Sequence, residues 1–155
     1  MKVVKGDLIE MFKNEEFELI IHGCNCFNTM GAGFAGQIAN SFPEAYNADK
    51  ETVRGDINKL SDWTVSVVKF KKFGVIINLY TQFEPGRNLN LAALELGMYK
   101  LSKKIDLTTP IAIPKIGCGI AGGDWNVVQP IIEKYFNNHD LTVVEFNKTE
   151  RNDKL

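Results

Sequence analysis

The sequence predicts an α/β domain, and three observations carry that reading. Apolar, β-branched runs alternate with stretches of helical periodicity along the chain. Its 155 residues suit one domain, burying roughly 70% of the surface that the unfolded chain exposes. Two glycine-rich segments, Gly31-Ala32-Gly33-Phe34-Ala35-Gly36 and Gly117-Cys118-Gly119-Ile120-Ala121-Gly122, each stand between a strand pattern and a helix pattern.

Lys2 to Val4 reads as a short strand, and Phe17 to Asn25 contains a buried one. Trp63 to Phe70 and Gly74 to Gln82 are rich in β-branched residues and form a hairpin around a turn at Lys69, Lys71 and Lys72. Pro110 to Gly117 and Leu141 to Phe146 complete about six strands. Gly33 to Phe42 reads as a helix stopped at Pro43, where a second short helix begins. In Leu91 to Ile105, the residues Leu94, Met98, Leu101 and Ile105 recur on one helical face. Asp124 to Asn137 is the last helix, with Asp124 as its N-cap. Residues 1–147 make one domain, and 148–155 form a charged, frayed tail.

Net charge is −1, from 18 basic and 19 acidic residues, so no basic field draws the chain to nucleic acid or anionic lipid. No apolar run reaches membrane-spanning length and no signal-peptide pattern opens the chain. Cys24, Cys26 and Cys118 are an odd number of cysteines, which fits a reducing compartment better than a disulfide framework. The expectation is a cytoplasmic monomer with no membrane partner.

A glycine-rich turn that opens a helix exposes backbone N–H groups beside a partial positive charge, and phosphate binds there without a lysine. Two such turns at strand ends of one sheet face each other across a crevice and grip one diphosphate from both sides. A dinucleotide-binding oxidoreductase fits less well: Cys24 to Met30 intervene between strand and glycines, and the chain is too short for a second, catalytic domain.

The segments "GDL" after the first strand, "IIHGCN", "MGAGFAGQI…FP" and "PKIGCGIAGGDW" together resemble the macrodomain family of ADP-ribose-binding modules. The resemblance runs from Val3 to about Phe146 in the family's order. It is greatest to small members that include ADP-ribose 1″-phosphate phosphatases and to versions carried by bacteriophages. It implies a three-layer α/β/α domain with a central mixed sheet, a ligand that is ADP-ribose or its 1″-phosphate, and no cofactor. Nucleic acid is a partner only where it carries ADP-ribose.

By the same resemblance, Asp7 accepts from the adenine amino group, with the backbone of Leu8 beside it, and Phe146 stacks on the base. Asn25 meets the distal ribose. Gly31, Ala32, Gly33 and Gly36 bracket that ribose and the neighbouring phosphate. Gly117, Cys118, Gly119 and Ile120 offer amides to the diphosphate.

Hydrolysing a phosphomonoester needs a placed water, a proton acceptor and donors for the developing charge. Asp124 and His22 are the candidate proton handlers, although an aspartate at a helix start is adequately explained as its cap and a lone histidine in a buried strand is more often a satisfied core residue. Related macrodomains that remove ADP-ribose from glutamate use a lysine and an aspartate. Here Gln82 and Ala121 stand in those positions, and neither can form a Schiff base or move a proton. His22, Cys24 and Cys26 share one face of an extended strand and, with Cys118, supply zinc-type ligands. Their spacing lacks the paired C-x₂-C of structural zinc sites, so no metal is expected. Cys118 as a nucleophile lacks an evident base, because His139 lies in a late loop. The leading function is hydrolysis of ADP-ribose 1″-phosphate; the alternatives are an ADP-ribosyl hydrolase acting on protein or nucleic acid, and a non-catalytic ADP-ribose reader.

Overall fold

The computed structural model describes residues 1–146, so the tail at 148–155 lies outside the described residues. In chain order the elements are β1 (Lys2–Gly6), α1 (Leu8–Lys13), β2 (Leu19–Asn25), α2 (Gly33–Ser41), α3 (Pro43–Lys50), a 3₁₀ turn at Ile57–Lys59, β3 (Trp63–Lys69), β4 (Phe73–Gln82), α4 (Leu91–Lys104), β5 (Ile111–Ile113), α5 (Trp125–Phe136) and β6 (Leu141–Phe146). The six strands form one mixed sheet in the order β1-β6-β5-β2-β4-β3. All pairs are parallel except β3 with β4, the hairpin foreseen around the lysine turn.

Side-chain alternation along the strands splits the apolar residues between two cores. Ile20 and Cys24 of β2, Ile76 and Tyr80 of β4 and Val144 of β6 pack with Leu8, Ile9 and Phe12 of α1, Ile38 of α2 and Ala45 of α3. Leu19, Ile21, Ile77, Leu79, Ile111, Ile113, Leu141 and Val143 face the other way, against Leu94, Met98 and Leu101 of α4 and Val128, Ile132 and Phe136 of α5. The sheet is thus sandwiched, giving the three-layer α/β/α architecture. Being covered on both faces, its central strands read as continuous apolar runs. Each fully buried Phe, Leu or Ile contributes roughly 1.5–3 kcal/mol relative to exposure.

Two elements differ from the expectation. Helix α1 is absent from the sequence reading because six residues span too few turns to reveal a period; Asp7 starts it by accepting from the Glu10 N–H at 3.2 Å. Strand β5 is only three residues long, ending where Pro114 removes a ladder donor and sends the chain into the second glycine loop.

Candidate functional site

The carboxyl ends of the five mutually parallel strands point the same way, and a cleft of about 840 Å³ lies beyond them. Its wall follows the strand order. Asp7 and Leu8 after β1 and Phe146 ending β6 line one end; Gly6 pairs with Phe146, so they are neighbours. Lys115 to Ala121 follow β5, Asn25 ends β2 with Thr29 and Gly31 to Ala35 after it, and Gln82 ends β4 at the far, distal end. Four strand spacings of about 4.8 Å make this roughly 19 Å long.

The first glycine loop is fastened from within and from behind. Asn25 Nδ2 donates to Thr29 O at 3.0 Å and to Thr29 Oγ1 at 2.9 Å, while its Oδ1 accepts from the Phe27 N–H at 2.8 Å. Asn25 lines the cleft, but its amide is committed to the loop. Donating to a ribose requires exchanging one of those Nδ2 bonds, whereas Oδ1 keeps a second lone pair with which to accept. Behind the loop, the Lys59 ammonium donates to Asn28 Oδ1 at 2.7 Å and to Thr52 Oγ1 at 2.8 Å, and Asn28 Nδ2 reaches Thr52 O at 2.7 Å.

The loop then delivers the start of α2 into the cleft. Its N-cap is Ala32, which has no capping oxygen. The other described α-helices are closed differently: Asp7, Asn90 and Asp124 cap α1, α4 and α5 through side chains, and α3 has Pro43 in its first turn. The first N–H groups of α2, at Gly33, Phe34 and Ala35, lack intrahelical acceptors and line the cleft. An anion is the natural acceptor for them.

The second loop is a turn that needs its glycines. Gly117 and Gly122 have φ of 75° and 81°, and the Gly123 N–H closes on Gly117 O at 2.8 Å. The Cys118 N–H is spent on Lys115 O at 3.1 Å, which removes one of the four donors expected there. Among the described residues nothing accepts from the N–H of Gly119 or Ile120. Ile120 is 54% exposed and leans over the first loop: a Cβ on Gly33 would lie 3.0 Å from its Cδ1. The two glycine loops therefore do face each other.

The two proton handlers do not reach the cleft. His22 is 1% exposed, under the ring of Phe34. Its Nε2 lies 2.6 Å from Asn78 Oδ1, an oxygen because Asn78 Nδ2 donates to Ala45 O and Thr64 Oγ1, so Nε2 carries the proton. Burial pushes the imidazole pKa down to about 4, against a smaller upward pull from Asn78, and keeps it neutral. Asp124 accepts from the Asn126 N–H at 2.9 Å and lines a separate shallow depression with Arg87, Leu89 and Val127. For both residues the structural explanation is the one the geometry supports.

Ionisable side chains on the cleft gather near Asp7: Lys115 and Glu145 form an ion pair of 2.9 Å, and the ammonium holds the Glu145 carboxyl below its usual range. The side chains of Asn25, Thr81 and Gln82 at the ends of β2 and β4 are neutral, as are those of Thr29 and Gln37 elsewhere on the wall. Burial raises the Cys24 and Cys118 thiols, so neither is a ready thiolate. Cys24 Sγ lies 4.0 Å from His22 Nε2, yet among the described residues no group of three or more acidic, histidine or cysteine side chains converges on a metal site. Lys115, Glu145, Thr81 and Gln37 were missed as lining residues, since nothing in their spacing marks them.

A model of the Macro domain family matches residues 21–132. The chain belongs to the macro domain family. This macro domain is 39% identical over 153 residues to an uncharacterised 17.5 kDa protein of Enterobacteria phage T4, covering 94% of this chain and 96% of that one. It is 28% identical to the DNA ADP-ribosyl glycohydrolase of Mycobacterium tuberculosis, over 90% of this chain but only 40% of that protein. An ADP-ribose 1″-phosphate phosphatase of Debaryomyces hansenii is 25% identical, over 90% of this chain and 96% of that one. Among solved structures, the macrodomain of Mycobacterium tuberculosis DarG superposes with a TM-score of 0.72 at 23% identity, covering 93% and 96% of the two chains. Thermosipho africanus DarTG in complex with ADP-ribose gives 0.72 at 17% identity, over 95% of this chain and 41% of that one. No described helix is long and apolar enough to cross a membrane.

Proposed function

We propose that this macro domain binds ADP-ribose in the cleft and hydrolyses the terminal phosphate of ADP-ribose 1″-phosphate. The observation that carries the reading is the uncapped start of α2 opposite the unpaired amides of Gly119 and Ile120, a pair of amide walls suited to one diphosphate. In this reading the adenosine lies at the Asp7 end, with Leu8 and Phe146 beside the base. The distal ribose lies among Asn25, Gly31, Ala32 and Gly33. The neutral distal end suits a phosphomonoester, whose loose transition state needs a placed water and hydrogen-bond donors more than a strong side-chain base.

Calorimetric titration with ADP-ribose, together with phosphate release from ADP-ribose 1″-phosphate, tests both halves. Binding with phosphate release is the expected result; absence of binding at high micromolar ligand overturns the whole reading. A second reading, ADP-ribosyl hydrolysis from nucleic acid, is favoured by the likeness to the mycobacterial glycohydrolase. It asks for a group that protonates a poor leaving group, which the distal side chains lack. Release of ADP-ribose from modified DNA without phosphatase activity would replace the first reading with the second.

A further inference from the structure

Gln82 is where the expected chemistry is missing, and its surroundings give it a different use. The pairing of β2 with β4 slips at this point: Cys24 lies opposite Tyr80, but Asn25 lies opposite Gln82. Thr81 is thus the extra residue of a β-bulge, a device that re-aims the side chains around it. The bulge leaves Gln82 on the wall of the cleft, only 9% exposed.

Its amide is held in one orientation. Nε2 donates to Glu84 O at 2.8 Å and to Gly86 O at 2.9 Å. Two carbonyl oxygens can be met only by the NH₂ of the amide, so flipping it would set oxygen against oxygen. Both N–H bonds are consumed by the 84–86 loop, and the side chain has a single acceptor left. Among the described residues nothing donates to that oxygen. On the same wall the Asn25 amide is engaged with its own loop, and the Thr81 hydroxyl oxygen is buried without a partner among the described residues.

A fixed acceptor at the distal end discriminates among the groups that reach it. A phosphate dianion has no proton to give and is not held by it. Water has two. We infer that Gln82 Oε1 orients the attacking water in the phosphatase reaction, an inference that rests on the function proposed above. One O–H of the water donates to Oε1, which turns a lone pair toward phosphorus. The water oxygen bonds to phosphorus as the bond from phosphorus to the 1″ oxygen breaks. That oxygen leaves with the bonding pair and takes the water's other proton, relayed through a phosphate oxygen. The products are ADP-ribose and hydrogen phosphate. Gln82 moves no proton; it fixes a direction.

The test uses the full chain, with Gln82→Leu and Gln82→Glu compared at saturating ADP-ribose 1″-phosphate and titrated with ADP-ribose. Both variants lose the clamp on the 84–86 loop, but only leucine loses the acceptor. Gln82→Leu is expected to lower kcat by about 100-fold, the penalty for a misplaced reactant, with KM and the ADP-ribose affinity near wild type. Gln82→Glu is expected to retain several-fold more turnover than leucine. Equal losses in both variants, a change confined to KM, or leucine at wild-type kcat would each overturn the inference and leave Gln82 as a loop clamp. A wild type that binds ADP-ribose but releases no phosphate overturns the proposed reaction, and this role with it.

Discussion

The carboxylate of Asp124 already has a partner, and that partner determines what removing it does. Its bond to the Asn126 N–H closes the first turn of α5, so Asp124→Ala is expected to cost about 1 kcal/mol in urea denaturation. ADP-ribose affinity should stay at the wild-type value, because the side chain lies off the cleft; a large loss of affinity would put Asp124 back in the site. His22 predicts an acid-sensitive fold. Its folded pKa of about 4 lies below the ordinary 6.5, so the unfolded chain binds the extra proton first. Its stabilising contribution is complete above pH 6.5 and is lost as pH falls toward 4, on the order of 3 kcal/mol across that window. His22→Gln should flatten the pH dependence of stability between pH 4 and 6.5, read from denaturation midpoints. A variant as acid-labile as wild type would assign the effect elsewhere. At this scale the sequence was ambiguous for a physical reason: a helix-capping aspartate and a catalytic one are the same residue type, and only the cleft's position separates them.

At the scale of elements, the glycine loops were legible as a pair because each links a strand end to a helix start. What the sequence did not separate is why each glycine is there. Gly117 and Gly122 answer to backbone conformation, and Gly123 to close packing on Leu89 and Gly117. Gly31 and Gly119 answer to neither: a Cβ there meets nothing within 4 Å, and both line the cleft. They leave the cleft open at these points. Gly31→Val and Gly119→Val should therefore fold with the wild-type melting temperature while weakening ADP-ribose binding at least tenfold, which scanning calorimetry and titration measure together. A fall in melting temperature with affinity retained would mean that both are structural after all. The hairpin and α4 were readable because their signals are local and long. Helix α1 was not, since its stability comes from Leu8, Ile9 and Phe12 packing into the first core.

At the scale of the molecule, alternation of strands and helices implied a layered α/β domain, but not the order β1-β6-β5-β2-β4-β3. Pairing between strands far apart in the chain leaves no mark on either strand alone. Yet that order decides the site, because it sets Asp7 and Gln82 at opposite ends of one cleft with the glycine loops between them. A ligand that spans the cleft touches the ends of β1, β6, β5, β2 and β4 together, so its binding energy acts on the whole fold. At a hundred times its dissociation constant, ADP-ribose is expected to stabilise the native state by about 2.7 kcal/mol. For a domain of this size that is a rise in melting temperature of roughly 5–10 °C. In the proposed pose AMP reaches only the Asp7 end and one amide wall, so it should bind more weakly and give a smaller rise at the same concentration, and ribose 5-phosphate a smaller one still. Equal shifts with AMP and ADP-ribose would mean that the distal end takes no part in recognition.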